Sequence, residues 1–150
     1  MKREISLDIL CCLFALLFLY TGLNKIFENE VFSQALLKSP LLHPLTPVLS
    51  VLIPVGEVVI AVGLFFNRSR RMALYSFFLL MAVFTIYVGF MLYFRSDRPC
   101  SCGGIIKYMN WHQHFYFNTA FTMMAIWALW LEKKIRNHKS GSFDQLAYKN

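Results

Sequence analysis

Charged side chains are scarce in this chain. Asp, Glu, Lys and Arg together make up 15% of its 150 residues while 57% are hydrophobic, which places it outside the range of water-soluble domains. A small-x-small cleavage site is lacking too. The first apolar run follows Met-Lys-Arg as a signal peptide would, but it is longer than the usual apolar core of one and ends in YTGLNKIFENE. It is therefore expected to remain in the mature protein. No small residue precedes Cys11 and Cys12 in the stretch DILCC, which argues against a lipid-modified cysteine, and there is no internal repeat.

Long apolar runs are what the sequence does contain. They lie at about 5–27, 47–66, 72–94 and 115–131, each near the roughly 20 residues that a bilayer core demands. In lipid every backbone N–H and C=O must be satisfied within its own segment, so such runs are helices. The expected fold is all-α: a polytopic membrane four-helix bundle over residues 1–136, followed by a flexible tail over residues 137–150. Lys and Arg accumulate in cytoplasmic loops. Lys2, Arg3, Arg68, Arg70, Arg71, Lys133, Lys134, Arg136, Lys139 and Lys149 fall on one side, and Lys25, Lys38, Arg95, Arg98 and Lys107 on the other. That asymmetry predicts both termini on the cytoplasmic side of the membrane. The net charge of +7 records this topology and calls for no nucleic-acid partner. Trp111 and Trp130 fit the aromatic belts at the two bilayer surfaces.

The link NRSRR is a tight turn, so the second and third runs are expected to be antiparallel neighbours. Both external links are longer. In the first, Val31, Phe32, Ala35 and Leu36 sit at helical spacing and Pro40 stops the pattern, which predicts a short amphipathic helix on the membrane surface that could roof what lies beneath. The second carries RPCSCGG and WHQH.

Cys100 and Cys102 fall on the external side, where disulfides persist. A bridge between residues two apart requires a bent peptide. Pro99 blocks helix continuation and Gly103 and Gly104 permit positive φ, so the local sequence suits that bend. Strained short-loop disulfides are the labile, oxidising kind, and Arg95, Arg98 and Lys107 favour a thiolate, with Asp97 opposing them. Three readings stand side by side: a redox-active pair, a static or inert turn, and a metal site formed with His112 and His114. Cys11 and Cys12 lie about 15 residues, roughly 22 Å, from the external end of their helix, and read as small buried apolar residues.

Glu57, in LIPVGEVVIAVG, is the carboxylate that hydropathy places inside the bilayer, where acids are costly and are functional or paired. Pro54 removes a backbone hydrogen bond one turn earlier. Glu57 is either a protonated acid bonded to Tyr87, Thr85 or another hydroxyl, or part of a proton relay or ligand contact. Lys25, in the last turn of the first helix, either snorkels, meets Glu28, or lines the same site.

The stretches LFLYTGLNKIFE, LIPVGEVVIAVGLFF and CSCGG resemble the MauE/DoxX family of four-helix membrane proteins over about residues 5–131, with the CxC-Gly pointing to the MauE, methylamine utilisation branch. That branch usually has C-x-C-F-G, whereas Gly104 follows Gly103 directly here. The resemblance implies an inner-membrane protein that works with a periplasmic thioredoxin-like partner in disulfide chemistry; the DoxX branch adds a quinone by analogy. On this reading Cys100 and Cys102 exchange disulfides, Glu57 and Lys25 line an intramembrane polar site, and His112 or His114 assists proton transfer. The alternatives are a non-catalytic membrane anchor or assembly subunit, and a Cys/His metal-binding module.

Overall fold

The structure, a computed structural model, describes residues 2–39, 42–94 and 110–147. Five helices follow one another: α1 (Lys2–Phe27), α2 (Asn29–Lys38), α3 (Thr46–Phe65), α4 (Arg70–Phe94) and α5 (Trp111–Ala147), with a 3₁₀ turn at His43–Leu45 before α3. The all-α bundle expected from the apolar runs is observed. Helices α1, α3 with its 3₁₀ lead-in, and α4 are long and apolar enough to cross a membrane. The fourth long helix, α5, is more polar because Asn118, Thr119 and Thr122 interrupt its apolar run. It nevertheless packs along α4 and α1 as a full member of the bundle.

Two boundaries differ from the expectation. Helix α5 begins four residues before 115, and it continues to Ala147, through the stretch whose composition reads as a tail. No proline interrupts LEKKIRNHKSGSFDQLA, and its Leu, Glu, Lys and Arg are good helix formers. The amphipathic helix between the first two runs exists as α2, with Phe32 and Leu36 buried. It ends because Ser39 precedes a proline, and that position is driven out of the helical region: Ser39 adopts φ −83°, ψ 120°. Pro40 itself, and the link 95–109 with Cys100 and Cys102, lie outside the described residues.

Two ends of the bundle are distinct. At one, the turn after α3 is closed by Ser69 and Arg70 N–H groups donating to the Phe66 carbonyl, at 3.1 and 2.8 Å. The Ser69 hydroxyl donates to the Gly63 carbonyl (2.8 Å), and Arg70 pairs with Asp8 of α1 at 3.0 Å. Above it lies a core of aromatic and small residues: Phe14 and Phe18 of α1 both meet Phe77 of α4 with centroids 4.3 Å apart, and Ala61, Ala73, Ala125 and Ala128 let the helices close around them. Cys11 belongs to this core, as expected; Cys12 faces outward instead, because adjacent helix positions point about 100° apart.

At the other end α1 approaches α3 most closely through Gly22. A Cβ there would sit 3.1 Å from the Pro54 carbonyl oxygen and 3.2 Å from Glu57 Cβ. Backbone cannot yield as a side chain can. Gly22→Ala should therefore cost about 1–3 kcal/mol of stability in detergent. Gly56→Ala, next to Glu57 but on a face with open space around the new methyl, should gain about 0.5–1 kcal/mol from helix propensity. Equal melting behaviour of the two variants would contradict this packing.

Candidate functional site

Four residues of the α1 and α3 sequences converge at this second end. Thr21 and Lys25 stand one turn apart on α1, and Pro54 and Glu57 one turn apart on α3. Lys25 Nζ donates to Glu57 Oε1 at 2.5 Å, and both side chains are almost fully removed from solvent and lipid, at 8% and 1% exposure. The Thr21 hydroxyl lies 3.2 Å from Glu57 Oε2 and 3.0 Å from the Leu17 carbonyl, so its single proton serves one acceptor at a time. The structure gives Glu57 a partner outside those alternatives, the Lys25 ammonium, together with one hydroxyl, that of Thr21. Thr85, offered as a partner for Glu57, meets Thr122 of α5 instead (3.1 Å), and Lys25 turns inward to Glu57 and not to Glu28.

Aromatic rings close the site. Lys25 Nζ lies 5.7 Å from the Phe32 ring centroid and 5.3 Å from that of Phe84, so α2 and α4 each place a ring face against the ammonium. The roof expected of α2 is thereby observed. It is fastened by a consequence of Pro54. Proline has no N–H, so the carbonyl four residues earlier, that of Ser50, loses its helical donor. The Asn29 side-chain amide of α2 donates to that carbonyl at 3.1 Å, and the Ser33 hydroxyl donates in turn to Asn29 Oδ1.

Helix α5 adds a polar stripe. His114 and Asn118, four residues apart, are both buried, and Thr122 continues the line to Thr85. His114 is close enough to Lys25 to feel its charge. His112, two residues earlier on the helix, points away and is exposed, so the WHQH pair is divided between two faces. Of the two histidines, His114 is buried, with its imidazole pushed below its usual pKa first by burial and then by the positive charge of Lys25, and His112 is exposed. Among the described residues no group of three or more His, Cys, Asp or Glu could hold a metal ion. Thr21, Asn29 and Asn118 were not singled out by sequence reasoning; their spacing by four from Lys25, Ser33 and His114 was the available signal.

The Gly22 to Lys25 step and the Pro54 to Glu57 step therefore form one contact in space, a small residue and a cation on α1 against a proline and an acid on α3. The family described as Methylamine utilisation protein MauE matches residues 3–131. The chain belongs to the MauE family. That match covers α1 to α4 and most of α5, including every residue of the site just described. No curated protein and no solved structure matches the chain. As a MauE protein with several apolar helices, it is a multi-pass membrane protein in contact with the lipid bilayer.

Two double-variant cycles test this geometry. Leaving one charge buried without its partner costs about 3–5 kcal/mol, so Lys25→Met and Glu57→Leu should each lower the unfolding midpoint in detergent, while the double variant recovers most of the loss. Additive losses would remove the pair from its structural role. Similarly, Asn29→Ala leaves the Ser50 carbonyl unsatisfied and should cost about 1–3 kcal/mol. In a Pro54→Ala background the helix N–H returns to that carbonyl, and Asn29→Ala should become nearly neutral; an unchanged cost would disprove the tether.

Proposed function

We propose that this MauE protein is an inner-membrane thiol–disulfide redox accessory, with both termini cytoplasmic, acting on a periplasmic thioredoxin-like partner through Cys100 and Cys102. The observation that carries the reading is the buried Lys25 and Glu57 pair under α2, at the end of the bundle to which the cysteine-bearing link is attached at both ends. Five residues lie between Phe94 and Cys100, a reach of about 20–22 Å at most over six Cα steps. A charged pair held out of water at the end of the bundle where that link is attached supports a role in moving protons alongside electrons.

The chemistry balances as two exchanges. A thiolate of the reduced partner attacks the Cys100–Cys102 disulfide, forms a mixed disulfide and releases one cysteine thiolate. The partner's second thiolate then displaces the other cysteine, leaving the partner oxidised and Cys100 and Cys102 reduced. A quinone would take up the two electrons and two protons of that dithiol and so restore the disulfide. Thr21, Lys25, Glu57 and His114 are the residues that would border it, with Lys25 offering a positive charge to a quinone oxygen.

Single replacement of the cysteines separates this from an anchor or assembly role. Cys100→Ser or Cys102→Ser should leave one variant that accumulates a reducible adduct with a thioredoxin-fold protein on non-reducing gels of membranes, and the double variant should show none. Lys25→Met should still form the adduct in the single-cysteine background but slow reoxidation by quinone by tenfold or more, about 1.4 kcal/mol or more of lost transition-state stabilisation. Absence of an adduct in both single variants, with full function of the double, would leave the membrane-anchor reading.

A further inference from the structure

The Arg70 end of the bundle holds a second polar site that the redox reading leaves unused. Helices α4 and α5 run antiparallel there, and between them lies a cavity of about 140 Å³ lined by Arg71, Tyr75, Leu129, Glu132, Lys133 and Arg136. One water needs only about 10–15 Å³ by this measure, so the space accommodates a multi-atom group. Its lining is graded along the bundle axis. Tyr75 lies one turn deeper than Arg71 on α4, and Leu129 one turn deeper than Lys133 on α5, so the apolar residues face the bilayer core and the cations the rim.

Charge in the cavity is unbalanced. Three cations meet one carboxylate, and the ion pairs of Lys25 with Glu57 and of Arg70 with Asp8 lie outside this cavity. The Arg71 guanidinium lies 5.7 Å from the Tyr75 ring centroid, which holds its charge beside the cavity wall. Converging cations without a counter-ion repel one another, and a bound anion relieves that repulsion. A surface that is cationic at the rim and apolar one turn below matches the order of a phospholipid, phosphate outside and glycerol and acyl chain inside.

We propose that the α4–α5 cavity binds the phosphate of an anionic phospholipid, with Arg71, Lys133 and Arg136 donating to the phosphate and Tyr75 and Leu129 packing on the glycerol and first acyl carbons. Glu132 opposes the anion and sets the affinity below what three cations alone would give. The site is independent of the cysteines and of the Lys25 and Glu57 pair.

The test uses the full chain in detergent, titrated with dioctanoyl phosphatidylglycerol, dioctanoyl phosphatidylcholine or inorganic phosphate, with bound lipid read by native mass spectrometry and stability by thermal shift. The glycerol lipid should bind at least tenfold tighter than the choline lipid. Arg71→Gln and Arg136→Gln should each weaken it about fivefold, in line with the contribution of one cation at a membrane surface, and their combination about 25-fold. Glu132→Gln should tighten it. Both arginines are exposed, and the opposite sign expected at Glu132 separates lost binding from lost fold. Equal binding of the two lipids, or affinities unmoved by all three substitutions, would overturn the site. Inorganic phosphate binding as tightly as the glycerol lipid would overturn the lipid assignment in favour of a free anion.

Discussion

The contact between Lys25 and Glu57 constrains everything around it. Each charge costs several kcal/mol to hold away from water, and neither is tolerable there without the other, so α1 and α3 are fixed in one register along their axes. Beside the pair the two helices also approach closely, and Gly22, facing Pro54 and Glu57, provides the room. Pro54 in turn leaves the Ser50 carbonyl without its helical donor, and Asn29 answers it, which ties α2 over the pair. Phe32 on that helix and Phe84 on α4 then cover the ammonium. Roof, proline, glycine and ion pair form a single dependent set.

Such a pair is an inefficient way to hold two helices together. A well-packed apolar pair of similar volume would serve stability equally well or better, because it carries no desolvation cost. The geometry also leaves the ion pair unsaturated. The Thr21 hydroxyl is within reach of both Glu57 and the Leu17 carbonyl, and His114 and Asn118 are buried polar groups on α5. These are groups able to rearrange their hydrogen bonds when a charge or a proton arrives, as a redox-linked polar site requires.

Much of this was legible one helix at a time. The apolar runs located α1, α3 and α4 within a few residues, the NRSRR turn made α3 and α4 neighbours, and the apolar spacing of Val31, Phe32, Ala35 and Leu36 announced α2. Glu57 and Lys25 stood out as charges in apolar surroundings. Their pairing did not, because it depends on the axial register of α1 against α3, which no single-helix pattern encodes. For the same reason Thr85 and Tyr87 were equal candidates for Glu57 until α4 was seen to direct Thr85 towards Thr122. Thr21, Asn29 and Asn118 were lost in the average hydropathy of their segments. The division of His112 from His114 follows from helical geometry alone, but only once α5 is known to start at Trp111 and not at residue 115.

The layering of the bundle sets a direction for any chemistry at the site. From the Lys25 end inward, polar groups extend as far as Thr85 and Thr122, and there they stop. Beyond them Phe14, Phe18, Phe77 and Phe121 pack against one another and against Met81 and the alanines of α3, α4 and α5, with the buried Cys11 thiol as the titratable group of that cluster. Among the described residues no hydrogen-bonded chain is seen to cross the layer. Protons taken up or released near Lys25 and Glu57 must therefore enter and leave at the Lys25 end, the side on which the cysteine-bearing link is anchored. The aromatic layer thus separates the Lys25 and Glu57 pair from the strongly cationic end at Arg70, so that whatever the pair exchanges it exchanges at one face of the bundle.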